Sequence, residues 1–149
     1  MLRCTLAELR DHVGAELGST QWRAISQDEV NVFGKITDDE QWIHTDPDRA
    51  AEGPFGATIA HGYYTLSLSS SMVMQLLEVT DADSIINYGL NRVRFPSAVP
   101  VGSRVRGTAT VAAVEDVKGG AQAIVELTID VEGASRPSCV AEMVIRYLH

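Results

Sequence analysis

The segment YYTLSLSSSMVMQLL, Tyr63 to Leu77, contains no charged side chain, and the sequence after it turns to two-residue alternation. This pairing limits what the chain can fold into. A helix built of small, apolar and hydroxyl residues on every side is expected to be enclosed by other structure. A membrane span is a poor alternative, because His61, several serines and Gln75 interrupt the apolar run from Ile59 to Leu77. In AQAIVELTIDV, Ala123, Val125, Leu127, Ile129 and Val131 alternate with polar residues. SCVAEMVIRYL places Cys139, Ala141, Met143, Ile145 and Tyr147 on one face in the same way. SRVRGTATVAAV alternates more weakly, SIINYGLNRVRFP reads as a strand ended by Pro96, and Lys118-Gly119-Gly120 suits a hairpin turn. Four antiparallel strands with one polar face each, following one buried helix, predict an α+β fold in which a sheet wraps the helix.

At 149 residues the chain suits one domain, 1–149, and no repeat, linker or low-complexity segment divides it. A net charge of −8 repels phosphate backbones and argues against a nucleic-acid partner. Cys4 and Cys139 lie far apart, without metal-type spacing or a disulfide framework. MLRCTLAELRDHVG carries charges every few residues and lacks the apolar core of a signal peptide, so a soluble cytoplasmic protein is expected. Thr5 with Glu8 and Ser26 with Glu29 have the spacing of capping boxes, and Asp46-Pro47 reads as an N-cap followed by a first helical proline.

The chemistry concentrates in TDDEQWIHTDP, Thr37 to Pro47. A solvated loop accounts for Asp46 but poorly for Trp42 and Ile43, which suggest a segment folded back onto protein. A metal cage of Asp38, Asp39, His44 and Asp46 lacks the glycine and alternating oxygen ligands of a calcium loop. It also lacks the second histidine or thiol that zinc would need nearby. The third reading pairs Asp39 with His44, five residues on, to hold a water and move its proton. Spacing alone makes that pair a weak signal. It gains weight from GPFGATIAHG, which leads into the buried helix and places amides near Gly62 at a helix start, where they suit a developing oxyanion. A proton-transfer pair and an anion stabiliser are the parts needed for chemistry beside a thioester carbonyl. His12 and His149 read as surface groups.

Thr37 to His44, Asp46-Pro47, Gly56 and Ile59-Ala60-His61-Gly62 together resemble the MaoC-like dehydratases. These are also called (R)-specific, or type-2, enoyl-CoA hydratases, and they include a nodulation-protein-N-like branch. NYGLNRVRFPSAVPVGSRVR resembles the strand–turn–strand that follows in the family, so the likeness runs along essentially the whole chain. It implies a hot-dog fold, a homodimer or higher assembly, and no metal or redox cofactor. The implied reaction is reversible syn hydration of a trans-2-enoyl-CoA to the (3R)-3-hydroxyacyl-CoA, within fatty acid metabolism.

Carried over residue by residue, the resemblance gives Asp39 and His44 as the pair that grips water and the Gly62 N–H as the donor to the thioester oxygen. Gln41, Trp42 and His61 become orienting or substrate-binding candidates. The commonest family pattern, Gly-Asp-x-Asn-Pro-Leu/Ile-His, is altered here at Asp38, Gln41 and Trp42, where Gln41 keeps an amide on a longer arm and Trp42 is expected to reshape the acyl tunnel. Arg92 with Arg94, and Arg104 with Arg106, share a face within each strand and suggest a basic rim for coenzyme A phosphates. Solvated strand edges or dimer ion pairs are the competing reading of those arginines. The serines at 67 and 69–71 read as close-packing residues. A hot-dog thioesterase and a non-catalytic acyl-binding or assembly subunit remain as alternatives.

Overall fold

The computed structural model describes residues 1–149. Its first half runs β1 (Leu2–Cys4), α1 (Leu6–Leu9), β2 (Glu16–Ser19), β3 (Arg23–Ala24), α2 (Gln27–Thr37), α3 (Trp42–Thr45), α4 (Pro47–Ala51), α5 (Gly62–Ser67) and α6 (Ser69–Leu76). The second half is β4 (Leu77–Val79), β5 (Ser84–Arg94), β6 (Arg104–Val117), β7 (Gly120–Val131) and β8 (Cys139–Leu148). The four expected strands are β5 to β8. They lie in an antiparallel sheet ordered β2-β6-β7-β8-β5, with β3 also paired to β6, while β1 and β4 form a separate parallel pair. Gly119, at φ 83°, closes the β6–β7 hairpin.

Alternation decides which sheet face is buried. Ala123, Val125, Leu127, Ile129 and Val131 of β7 and Cys139, Ala141, Met143, Ile145 and Tyr147 of β8 all enter the core. Each fully buried aliphatic side chain contributes roughly 1.5–3 kcal/mol. Against this face lies the α5–α6 helix, whose Leu68, Met72, Val73 and Leu76 join the same cluster. Gly107 on β6 sets how closely they approach, since an added Cβ would sit 2.8 Å from the Met72 sulfur. This helix-in-sheet arrangement is the hot-dog fold.

Both capping boxes form, at Thr5/Glu8 and Ser26/Glu29, and the Asp46 side chain caps α4 by accepting from Arg49 N–H. Three expectations change. The helix announced by the Thr5/Glu8 box is only one α-turn continued by a 3-10 turn, Arg10–His12. The single helix expected over Tyr63–Leu77 starts at Gly62, is interrupted at Leu68 and ends at Leu76, with Leu77 opening β4. Leu68 N–H donates to Thr65 O, three residues back, while the Ser67 and Ser71 hydroxyls donate to the Tyr64 and Leu68 carbonyls. Such back-bonding competes with the helical ladder and breaks its regularity. Finally, the helix is enclosed on one side only. Tyr63, Ser67 and Met74 remain exposed on a face that borders β5.

Candidate active site

The acidic stretch begins where α2 stops. Asp38 ends the helix in the left-handed region (φ 55°), the only non-glycine residue with positive φ, and both Asp38 and Asp39 N–H groups donate to Gly34 O. Gly34 permits this tight return, because an added Cβ would lie 2.9 Å from the Asp39 carbonyl oxygen. The next turn, α3, carries His44 inward. His61 arrives from the loop preceding α5.

These turns assemble a cluster. One oxygen of Asp39 and one ring nitrogen each of His44 and His61 lie within 4.8 Å of one another. The two imidazoles stack, with centroids 3.8 Å apart and planes inclined by 26°. His44 and His61 are 7% and 3% exposed, whereas the Asp39 side chain keeps 49% of its surface in solvent. His44 Nδ1 lies 2.6 Å from the Ile59 carbonyl oxygen, which can only accept, so Nδ1 carries the proton and neutral His44 presents a bare Nε2. By the same logic His61 Nε2–H donates to Asp39 O at 2.8 Å. That leaves His61 Nδ1 buried without a protein partner, a condition that costs about 1–3 kcal/mol.

Burial pushes the His44 pKa below its ordinary value. The hydrogen bond to Ile59 acts upward, His61 downward and Asp39 upward, and burial outweighs them. His44 is therefore a neutral base at neutral pH. His61 also brings to His44 the second imidazole that the neighbouring sequence lacked, so Asp39, His44 and His61 form a group whose ligand atoms could reach one metal ion.

His44 and Gly62 line one cleft of about 370 Å³, together with Phe55, Ile59, Phe95 and Val99. Asp39 adjoins His44 but does not line that cleft. Gly62 opens α5, and His61 at the N-cap position makes no side-chain cap. Thr65 is the first amide with a helical acceptor, His61 O at 3.0 Å, so the N–H groups of Gly62, Tyr63 and Tyr64 have none in the helix. The Phe95 ring rests against Gly62, where an added Cβ would stand 3.2 Å from it.

A family model described as a MaoC like domain matches residues 8–132. The chain belongs to the MaoC-like dehydratase family. It is 50% identical over 145 residues to the 3-hydroxyacyl-thioester dehydratase Z of Mycobacterium tuberculosis strain H37Rv, covering 97% of this chain and 96% of that protein. Nodulation protein N of Rhizobium leguminosarum bv. viciae is 38% identical over 148 residues, covering 97% and 91%. An (R)-hydratase from Pseudomonas aeruginosa superposes with a TM-score of 0.77 over 97% of this chain and 86% of that one, at 21% identity, which shows a shared fold. This MaoC-like protein is thus an enzyme of the hydratase/dehydratase class.

The remaining expected site residues of the MaoC-like enzyme lie apart from the cleft. Asp38 stands where the common family pattern has glycine, and its left-handed backbone supplies the reason for glycine there. Gln41 is exposed, with its side chain outside the cleft. Trp42, expected to shape an acyl tunnel, instead packs on Gly53, with the Arg49 guanidinium 4.4 Å from its ring centroid. Arg92 lies in a separate groove with Glu126 and Glu142, and the Arg94 guanidinium donates to the Val93 carbonyl. Arg104 is bonded by Glu132 through two nitrogens, and Arg106 stacks on Trp22, so both are engaged away from the cleft. Gly34, Phe55 and Phe95 escaped sequence reading. For Gly34 a signal existed, a glycine inside a helical pattern, which marks close backbone approach.

Proposed function

We propose that this MaoC-like enzyme catalyses the reversible syn hydration of a trans-2-enoyl-CoA to the (3R)-3-hydroxyacyl-CoA. The observation that carries the reading is the pairing, in one cleft, of His44 with a bare Nε2 and Gly62 with an unengaged N–H, beside the Asp39 carboxylate. The 3-hydroxyacyl-thioester named for the mycobacterial relative belongs to the same chemical class of substrate.

In the proposed mechanism, Asp39 and His44 hold one water. Its oxygen adds to C3 as the pair takes one of its protons, and the pair returns a proton to C2, so the protein ends unchanged. Between these events negative charge moves onto the thioester oxygen. The Gly62 N–H stabilises that charge more than it stabilises the ground-state carbonyl, which lowers the barrier. Asp39 and His44 act as a coupled pair that shares both protons. His61 supports them by holding the Asp39 main chain and stacking on His44. Hydration involves no net electron transfer, so the reading includes no redox cofactor, and the Asp39–His44 pair takes the water-activating role without a metal.

The same proposal takes the working form to be a cytoplasmic homodimer. Its support is the long edge strand β5, which exposes Ile85, Ile86, Tyr88 and Leu90 beside the uncharged open face of α5–α6. Coenzyme A phosphates would then be met by cations whose position the dimer sets, with Arg92 and Arg94 on β5 as the candidates.

The test is crotonyl-CoA with the purified chain. Hydration removes enoyl absorbance without exposing a thiol, whereas a thioesterase releases free coenzyme A. Absence of turnover across short to long enoyl thioesters would favour the acyl-binding subunit instead.

A further inference from the structure

Three hydrogen bonds tie His44 and the adjoining Ile43 to Gln27 and Ile59. α3 has only four residues, too few to hold itself in place through its own ladder. Its terminal carbonyls need outside donors. Gln27, the first residue of α2 after its Ser26 cap, supplies one, donating from Nε2 to His44 O at 2.6 Å. The same Nε2 donates to Asn31 Oδ1 at 2.9 Å, and Oε1 accepts from the buried Thr58 hydroxyl at 2.5 Å. Both amide protons and the carbonyl are therefore committed. Turning the amide over would set its oxygen against the His44 carbonyl, so the orientation is determined.

Thr58 directly precedes Ile59, whose carbonyl takes the His44 Nδ1 proton. Ile59 N–H in turn donates to Ile43 O at 2.9 Å. The loop that fixes the His44 tautomer is thus tied to the His44 main chain twice, once through Ile59 and Ile43 and once through Gln27.

We propose that Gln27 is a positioning residue for His44, its carboxamide clamping Thr58–Ile59 against the end of α3 so that the imidazole presents Nε2 to the cleft. The inference rests on the proposed role of His44 in hydration. Gln27 does not line the cleft and acts only through His44. Without the clamp, the Ile59 carbonyl is free to withdraw, and His44 then samples both tautomers. The wrong tautomer cannot accept a proton at Nε2. Losing a partner that orients a working histidine costs about 10–100-fold where that has been measured for metal ligands.

The experiment compares the parent protein with Gln27→Leu and Thr58→Val, using long-range nitrogen–proton NMR of the histidine rings without substrate and kinetics on crotonyl-CoA. The parent is expected to show His44 protonated at Nδ1 alone. Both variants should show averaged tautomer signals, with kcat down about 10–100-fold and KM within about threefold. Loss of the Ile59 bond also removes an upward influence on His44, so the acid limb of the kcat profile should move to lower pH, with Asp39 and His61 still facing the ring. If Gln27→Leu does not fold, Thr58→Val, which deletes only the hydroxyl link, decides alone. A single unchanged tautomer in the folded variants overturns the clamp. A fixed tautomer in the parent that averages in the variants, with no hydration of any enoyl thioester by the parent, would sink the functional reading and leave the clamp standing.

Discussion

The His44 ring stacks on the His61 ring at a centroid distance of 3.8 Å, while each donates a ring N–H to a main-chain carbonyl, of Ile59 and Asp39 respectively. The stack is closed in further by Phe33, whose ring centroid is 5.2 Å from that of His61. Burial among aromatic rings disfavours a charged His44, because protonating it would place a cation away from water. The arrangement keeps His44 a base and makes it sensitive to acid.

That sensitivity has a definite sign. His44 titrates in the folded protein below its ordinary value of 6.5. The unfolded chain therefore binds its proton first as pH falls, so the stabilisation from neutral His44 is complete above 6.5 and is lost as pH drops through the lowered folded value. Urea midpoints measured from pH 8 to pH 5 should fall on the acid side, and His44→Gln should flatten that slope. An equal slope in the variant would assign the acid sensitivity elsewhere.

Removing either member of the water-gripping pair should abolish most turnover. Asp39→Asn and His44→Gln are each expected to lower kcat by about 10²–10⁴-fold, with circular dichroism unchanged. Asp39 is half in solvent, so its substitution should barely alter the melting temperature. Retention of parental kcat in both variants would end the case for a shared site.

Gly34 is where the fold and the site meet. Gly34→Ala gains up to about 1 kcal/mol of helix propensity, yet its Cβ falls 2.9 Å from the Asp39 carbonyl and 3.4 Å from the His61 ring. Overpacking against backbone costs about 1–3 kcal/mol, so a net loss of stability is expected, together with a drop in kcat as Asp39 is displaced. Thermal melts and crotonyl-CoA kinetics on one preparation check both.

At Asp38 two effects oppose. Glycine would relieve the left-handed backbone but free the unfolded chain, so Asp38→Gly should stay within about 1 kcal/mol of the parent. Asp38→Val forces a β-branched side chain into that region and should cost about 2 kcal/mol or more. Denaturant unfolding of the two variants gives the ordering directly.

The β5 edge offers a test of assembly. In the proposed homodimer, Ile86→Lys places a charge in the contact and should shift sedimentation from dimer to monomer. A parent that sediments as a monomer and is fully active would refute this part of the proposal.

Alternation at 123–131 and 139–147, the capping residues Thr5, Ser26 and Asp46, and the turn at Gly119 were legible in the sequence because each depends on neighbours close along the chain. Asp39, His44 and Gly62 were nameable from residue chemistry and a helix start, a weak signal by itself, and the family resemblance gave each its role. What only the folded chain decided are distances between segments far apart in sequence. His61 stacks on His44, Phe95 covers Gly62, Gln27 reaches Thr58, and Trp42 and Arg104 turn away from the roles that their positions suggested. Backbone propensity and side-chain period act over a few residues, so they determine elements. The meeting of buried polar groups depends on how those elements pack, and that is settled only when every donor and acceptor competes at once for a partner in three dimensions.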